Sequence, residues 1–161
     1  MCWVADAKQG VDAARLRREL VDFLHRFGRA DGDFAAAELI LGELLSNAGR
    51  YTPGPVCVSI AWDGEFPRAT VYDGGEGFSW APALPRGHSE RGRGLYIIST
   101  LARDVQVERG AAGCRVSATL PIPRGRRTLE PSACPIRRPA DASGICADPR
   151  RRVDAARAAH T

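Results

Sequence analysis

The chain has little from which a metal cluster, a disulfide framework or a membrane segment could be built. Of its 161 residues three are histidine and five are cysteine. Cys2, Cys57, Cys114, Cys134 and Cys146 are scattered, with no C-x-x-C pair and no histidine spacing suited to zinc, so they read as reduced thiols. No apolar run lasts more than a few residues, which argues against a membrane-spanning helix. The opening MCWVADAKQG has no basic leader before an apolar core, so no secretory signal is expected and a cytoplasmic protein is implied. Aromatic residues are scarce, at 7%, and are absent after residue 121.

What is present is the composition of one soluble domain, 44% apolar and 26% charged. The net charge of +4 would hint at nucleic acid if it were spread along the chain. It is not. Residues 1–121 hold 14 basic and 15 acidic side chains, and residues 122–161 hold 9 and 4. The basic tail also has five of the eleven prolines and few large apolar residues, so it cannot bury enough surface to offset its ordering entropy. The expectation is a folded domain over 1–121 and a disordered, Pro/Arg-rich tail over 122–161. With no aromatics among its arginines, the tail reads as a solvated extension rather than a nucleic-acid arm.

Leu16, Leu20, Phe23, Leu24 and Phe27 recur at helical spacing, predicting an amphipathic helix over 11–27 that Gly28 ends as a C-terminal cap. Asp33 is placed to N-cap a second helix, whose stripe runs through Phe34, Ala37, Leu41, Leu44, Leu45 and Ala48 to a stop at Thr52-Pro53-Gly54-Pro55. VCVSIAW and RATVYD alternate like strands around the turn DGEFP. A Gly/Pro-rich stretch over 74–90 is long enough for a lid. GLYIISTLA then predicts a third helix, DVQVER and CRVSATLPI a second strand pair, and Trp3-Val4 a short edge strand. Strands joined by short turns with helices set apart argue an α+β fold: a two-layer sandwich, its mixed but mostly antiparallel sheet covered by helices on one face.

Three places carry polar groups suited to chemistry. Glu43 and Asn47, four residues apart, share one face of the second helix at the edge of its apolar stripe. A carboxylate there can take a proton and a carboxamide oxygen can hold a hard cation, although two such residues alone also describe a solvated helix face. Asp73 follows a strand directly in DGGEGF, where Gly75 and Gly77 permit close backbone approach or simply a tight turn. Arg91, Gly92, Arg93, Gly94 and Leu95 (RGRGL) precede a helix, an arrangement that offers N–H groups and positive charge to an anion.

In order, E-x-x-x-N-A-x-R-Y-T-P on a helix, D-x-G-x-G-F after a strand, G-R-G-L opening a helix and G-C-R-V-x-A-x-L-P in a closing strand resemble the GHKL superfamily. This is the ATP-binding (Bergerat) domain of histidine kinases and their relatives, and NAGRYTPG is similar to the kinase version. The resemblance spans about residues 10–121. It implies that Asn47 coordinates Mg²⁺ between the phosphates of ATP and that Glu43 is the general base. Asp73 would accept a hydrogen bond from the adenine amino group, with Gly75 and Gly77 shaping the pocket floor and lid hinge. Gly92 and Gly94 would offer backbone N–H groups to the phosphates, with Arg50, Arg91 or Arg93 neutralising charge. Where the family often has Gly-Thr near adenine, this chain has Gly113-Cys114, and a thiol is the weaker hydrogen-bonding group.

Within the superfamily, His25 in LHRFG lacks a following acid and reads as a helix-surface residue rather than a phospho-acceptor. The short tail offers no transducer domain. The pattern is most similar to the anti-sigma-factor serine kinases, which implies a sigma factor and an anti-anti-sigma protein as partners and a homodimer as the assembly. The alternative is a non-catalytic module that sequesters its partner with weak or no ATP turnover.

Overall fold

The computed structural model describes residues 1–6, 10–51, 54–62, 64–75, 93–110 and 113–127. Eight elements follow in chain order: β1 (Cys2–Asp6), α1 (Gly10–Phe27), α2 (Phe34–Tyr51), β2 (Pro55–Trp62), β3 (Pro67–Asp73), α3 (Arg93–Leu101), β4 (Asp104–Gly110) and β5 (Gly113–Thr119). The expected α+β sandwich is what forms. Where the sequence allowed a mixed sheet, every pairing is antiparallel, in the order β1-β2-β3-β5-β4. None of the described helices is long and apolar enough to cross a membrane.

Alternation along β3 decides which side is covered. Pro67, Ala69, Val71 and Asp73 are buried while the residues between them are half-exposed. Register then aligns Val58, Val71, Val116 and Val107 in one row and Ile60, Ala69, Ala118 and Val105 in the next. Above these rows lie Leu20 and Leu24 of α1, Ile40, Leu41, Leu44 and Leu45 of α2, and Ile98 of α3. The opposite face is polar, with Thr70 and Ser117 hydroxyls 2.9 Å apart across the β3–β5 pair. Trp3 and Trp62 close the β1 side of the core by packing on Phe23, with ring centroids 5.3 and 5.7 Å away.

Helix ends follow the sequence, one of them for a different reason. Asp33 caps α2 as expected, its Oδ1 accepting from the N–H of Ala36 at 2.9 Å. Gly28 does end α1, yet it is not in the left-handed region: a β-carbon there would collide with the Ile122 methyl and lie 2.8 Å from the Leu24 carbonyl oxygen. The chain after β5 explains this. β5 stops at Thr119 rather than running to Ile122, because Pro121 has no N–H to continue a ladder. Residues 120–127 instead strap the base of the domain. Ile122 is fully buried, the N–H groups of Arg29 and Asp33 donate to the carbonyls of Pro123 (2.8 Å) and Pro121 (3.0 Å), and Gly125 N–H donates to Phe27 O at 2.8 Å. The contacts thus continue past Pro121 to Gly125, and the tail after Arg127 lies outside the described residues.

Candidate functional site

The polar groups gather at the end of the sandwich opposite the strap. There the last turns of α2, the first turn of α3, the end of β3 and the start of β5 meet, and each contributes what its position in the fold permits.

From α2 come Glu43 and Asn47, both half-buried and one turn apart. α3 enters beside them at Gly94. A β-carbon on Gly94 would overlap the Glu43 Oε2 atom and stand 3.3 Å from its carboxyl carbon and 3.8 Å from Asn47 Nδ2. Glycine lets the α3 backbone come this close without displacing the Glu43 carboxylate. Asn47 Nδ2 is buried with no hydrogen-bond partner among the described residues, a costly state for an amide unless a ligand answers it. Arg93 is exposed at the first residue of α3, Leu95 is half-buried two residues on, and Arg50 is exposed in the last turn of α2.

From the sheet comes Asp73, one of only two buried polar side chains among the described residues. The other, Ser117, is answered by Thr70. Asp73 Oδ1 accepts the Gly75 N–H at 2.9 Å, which turns the chain out of β3 and leaves Oδ2 for a ligand. Directly opposite in register is Cys114, fully buried. Gly113 precedes it at φ 136° with its α-carbon pressed against the Asp73 backbone, where a β-carbon would strike the Asp73 carbonyl oxygen. Glycine is required there twice over, by conformation and by space. Sequence reasoning misses this role, because Gly113 shows there only as half of the Gly-Cys pair and its register opposite Asp73 is a long-range fact.

Gly77, Arg91, Gly92 and nearly all of the lid stretch lie outside the described residues. Of the expected site, then, two groups are assembled, Glu43–Asn47–Gly94 and Asp73–Gly75–Cys114. A cavity of about 250 Å³ between β1 and α1, lined by Trp3, Val4, Ala5, Arg15, Leu16 and Glu19, shares none of these residues.

The two groups suit different halves of a ligand. An acid at the end of a strand, with an apolar thiol beside it, suits a planar base carrying an amino group. A helix N-terminus with Arg93 at its first residue suits phosphates. Among the described residues no three His, Cys, Asp or Glu side chains could enclose a metal. A lone carboxamide fits a cation that takes most of its ligands from phosphate and water, as Mg²⁺ does. No hydrogen bond among the described residues pins the Asn47 carboxamide, and turning it end for end brings an acceptor oxygen to the orphaned position.

The family model described as histidine kinase-like ATPase domain matches residues 6–120. No curated protein sequence matches the chain. Among solved structures, the fold is similar to the RsbU and RsbW domains of Rv1364c from Mycobacterium tuberculosis, with TM-score 0.51, 20% identity and 81% of this chain covered. This chain spans 35% of the chain in that structure. It is also similar to the histidine kinase domain of the blue-light activated kinase EL346 from Erythrobacter litoralis, with TM-score 0.43, 21% identity, and 70% of this chain and 60% of that one covered.

Proposed function

The chain belongs to the histidine kinase-like ATPase domain family, and from that premise we propose that it is a regulatory protein kinase of the anti-sigma type, binding ATP with Mg²⁺ and phosphorylating a serine on an anti-anti-sigma partner. The observation that carries this reading is the convergence of Glu43, the orphaned Asn47 amide and the Gly94 entry to α3 at one end of the sheet, with the buried Asp73 at the same end.

Asp73 Oδ2 accepts from the adenine amino group while Oδ1 stays on Gly75. Arg50 and Arg93, both exposed at the site's rim, draw the phosphates in. Asn47 would hold Mg²⁺ through its side-chain oxygen, and the ion would supply neutralisation of phosphate charge. Glu43 takes the proton of the partner's serine hydroxyl as that oxygen bonds the γ-phosphorus and the bond to ADP breaks. Most of the acceleration then comes from positioning and charge neutralisation.

His25 does not compete for the role of acceptor within this protomer. It lies near the base, its ring stacked on Phe34 with centroids 4.0 Å apart. Phe34 opens α2 nine residues before Glu43, roughly 13 Å along the helix axis.

The test is transfer of labelled phosphate from ATP to a serine-bearing partner. Glu43→Gln should slow it by roughly 10²–10⁴-fold, the usual contribution of a general base. Transfer at the wild-type rate would remove Glu43 from that role. Absence of MgATP binding by calorimetry at millimolar nucleotide would leave a partner-sequestering module instead.

A further inference from the structure

We infer that Gly94 is a positioning residue for Glu43: its missing side chain is what lets the Glu43 carboxylate stand at the mouth of α3 beside Asn47. The inference rests on Glu43 being the base.

Nothing else among the described residues holds that carboxylate. No hydrogen bond or ion pair fixes it, although Glu43 is half-buried and every other turn of α2 nearby is packed into the core. Its position is set by shape. Its wall is the α3 backbone at Gly94, so close that a β-carbon there would overlap Oε2, and that same β-carbon would stand 3.8 Å from Asn47 Nδ2. A methyl group at 94 needs a non-bonded separation of about 3.2 Å or more, so the carboxylate has to move by about 1 Å. The atom that moves is the free end of a flexible side chain, so the fold survives. What changes is where the proton acceptor stands. A displacement of that size is enough to cost on the order of 10²-fold in rate. Alanine keeps the backbone N–H that glycine offers to phosphate, so nucleotide affinity is separable from turnover.

The test is Gly94→Ala, measured in three ways on the full chain. MgADP affinity by calorimetry should stay within about threefold of wild type, and Tm should be unchanged or higher, since alanine is the better helix former. Phosphoryl transfer should fall about 30- to 100-fold in kcat with little change in KM, and adding Glu43→Gln to Gly94→Ala should cost far less than it does alone. The third readout does not depend on activity. The Glu43 side-chain carboxyl ¹³C resonance, assigned by its loss in Glu43→Gln, should shift in Gly94→Ala while that of Asp73 stays in place. An unmoved Glu43 resonance, or kcat within threefold of wild type while Glu43→Gln is inactive, overturns the positioning role. If the resonance moves and neither variant affects transfer, the base assignment fails instead, and with it the catalytic meaning of Gly94.

Discussion

Asp73→Asn separates a nucleotide site from a turn, because the structure splits the work of the two carboxylate oxygens. Oδ1 accepts the Gly75 N–H at 2.9 Å. An asparagine keeps that acceptor, so the exit from β3 and the pairing with Cys114 survive. The remaining atom changes from an oxygen into an NH₂ group and meets the adenine amino group donor to donor. The loss is a hydrogen bond to a charged acceptor, worth about 1.5–3 kcal/mol, and the amide gains nothing in exchange. At about 1.4 kcal/mol per decade this predicts ATP and ADP binding weakened by at least about 10-fold, reaching 100-fold. Titration calorimetry with ADP and Mg²⁺ measures it, and thermal unfolding of the unliganded variant should stay within a few degrees of wild type. Nucleotide affinity within about twofold of wild type in a folded Asp73→Asn protein would refute the adenine contact. A collapsed Tm would show that the turn at Gly75 needs the carboxylate itself, which the retained Oδ1 acceptor argues against.

Three further outcomes follow from particular contacts. Gly113→Ala must place a β-carbon on the Asp73 carbonyl at φ 136°. It should destabilise the domain by about 2 kcal/mol or more and weaken nucleotide binding, both visible in a thermal shift with and without ADP. Cys114→Thr restores a hydroxyl where the sheet meets Asp73. By the worth of one neutral hydrogen bond, about 0.5–1.5 kcal/mol, it should tighten ATP binding about 2- to 10-fold in calorimetry, and unchanged affinity would mean that position 114 does not reach the base. Ile122→Ala removes a fully buried side chain under Gly28 and Gly32. It should lower urea-unfolding stability by about 2–4 kcal/mol at constant m, followed by Trp3 and Trp62 fluorescence, and a loss below about 0.5 kcal/mol would detach the strap from the cooperative unit.

Those contacts divide into what local sequence carries and what it does not. The stripe of Phe34, Ala37, Leu41, Leu44 and Leu45 and the alternation of Ala69, Val71 and Asp73 depend on periods within one element, so helix α2 and strand β3 are legible from the sequence alone. The Glu43–Asn47 face is legible for the same reason. What those residues face is not. Gly94 meets Glu43 across two helices, and Gly113 meets Asp73 across two strands, and neither encounter leaves a trace in spacing along the chain. The base of the domain shows the limit of local signals. Gly28 has the sequence context of a left-handed cap, and Ile122 sits in a stretch whose prolines and arginines suggest a solvated tail. The two are explained together: the glycine is bare because the isoleucine needs the space, and the isoleucine is buried because Arg29 and Asp33 hydrogen-bond its flanking prolines. At Gly28 as at Gly94, the missing side chain leaves room for a group from elsewhere in the chain, the Ile122 methyl in one case and the Glu43 carboxylate in the other. In both cases the group that the glycine accommodates is visible only once the fold is closed.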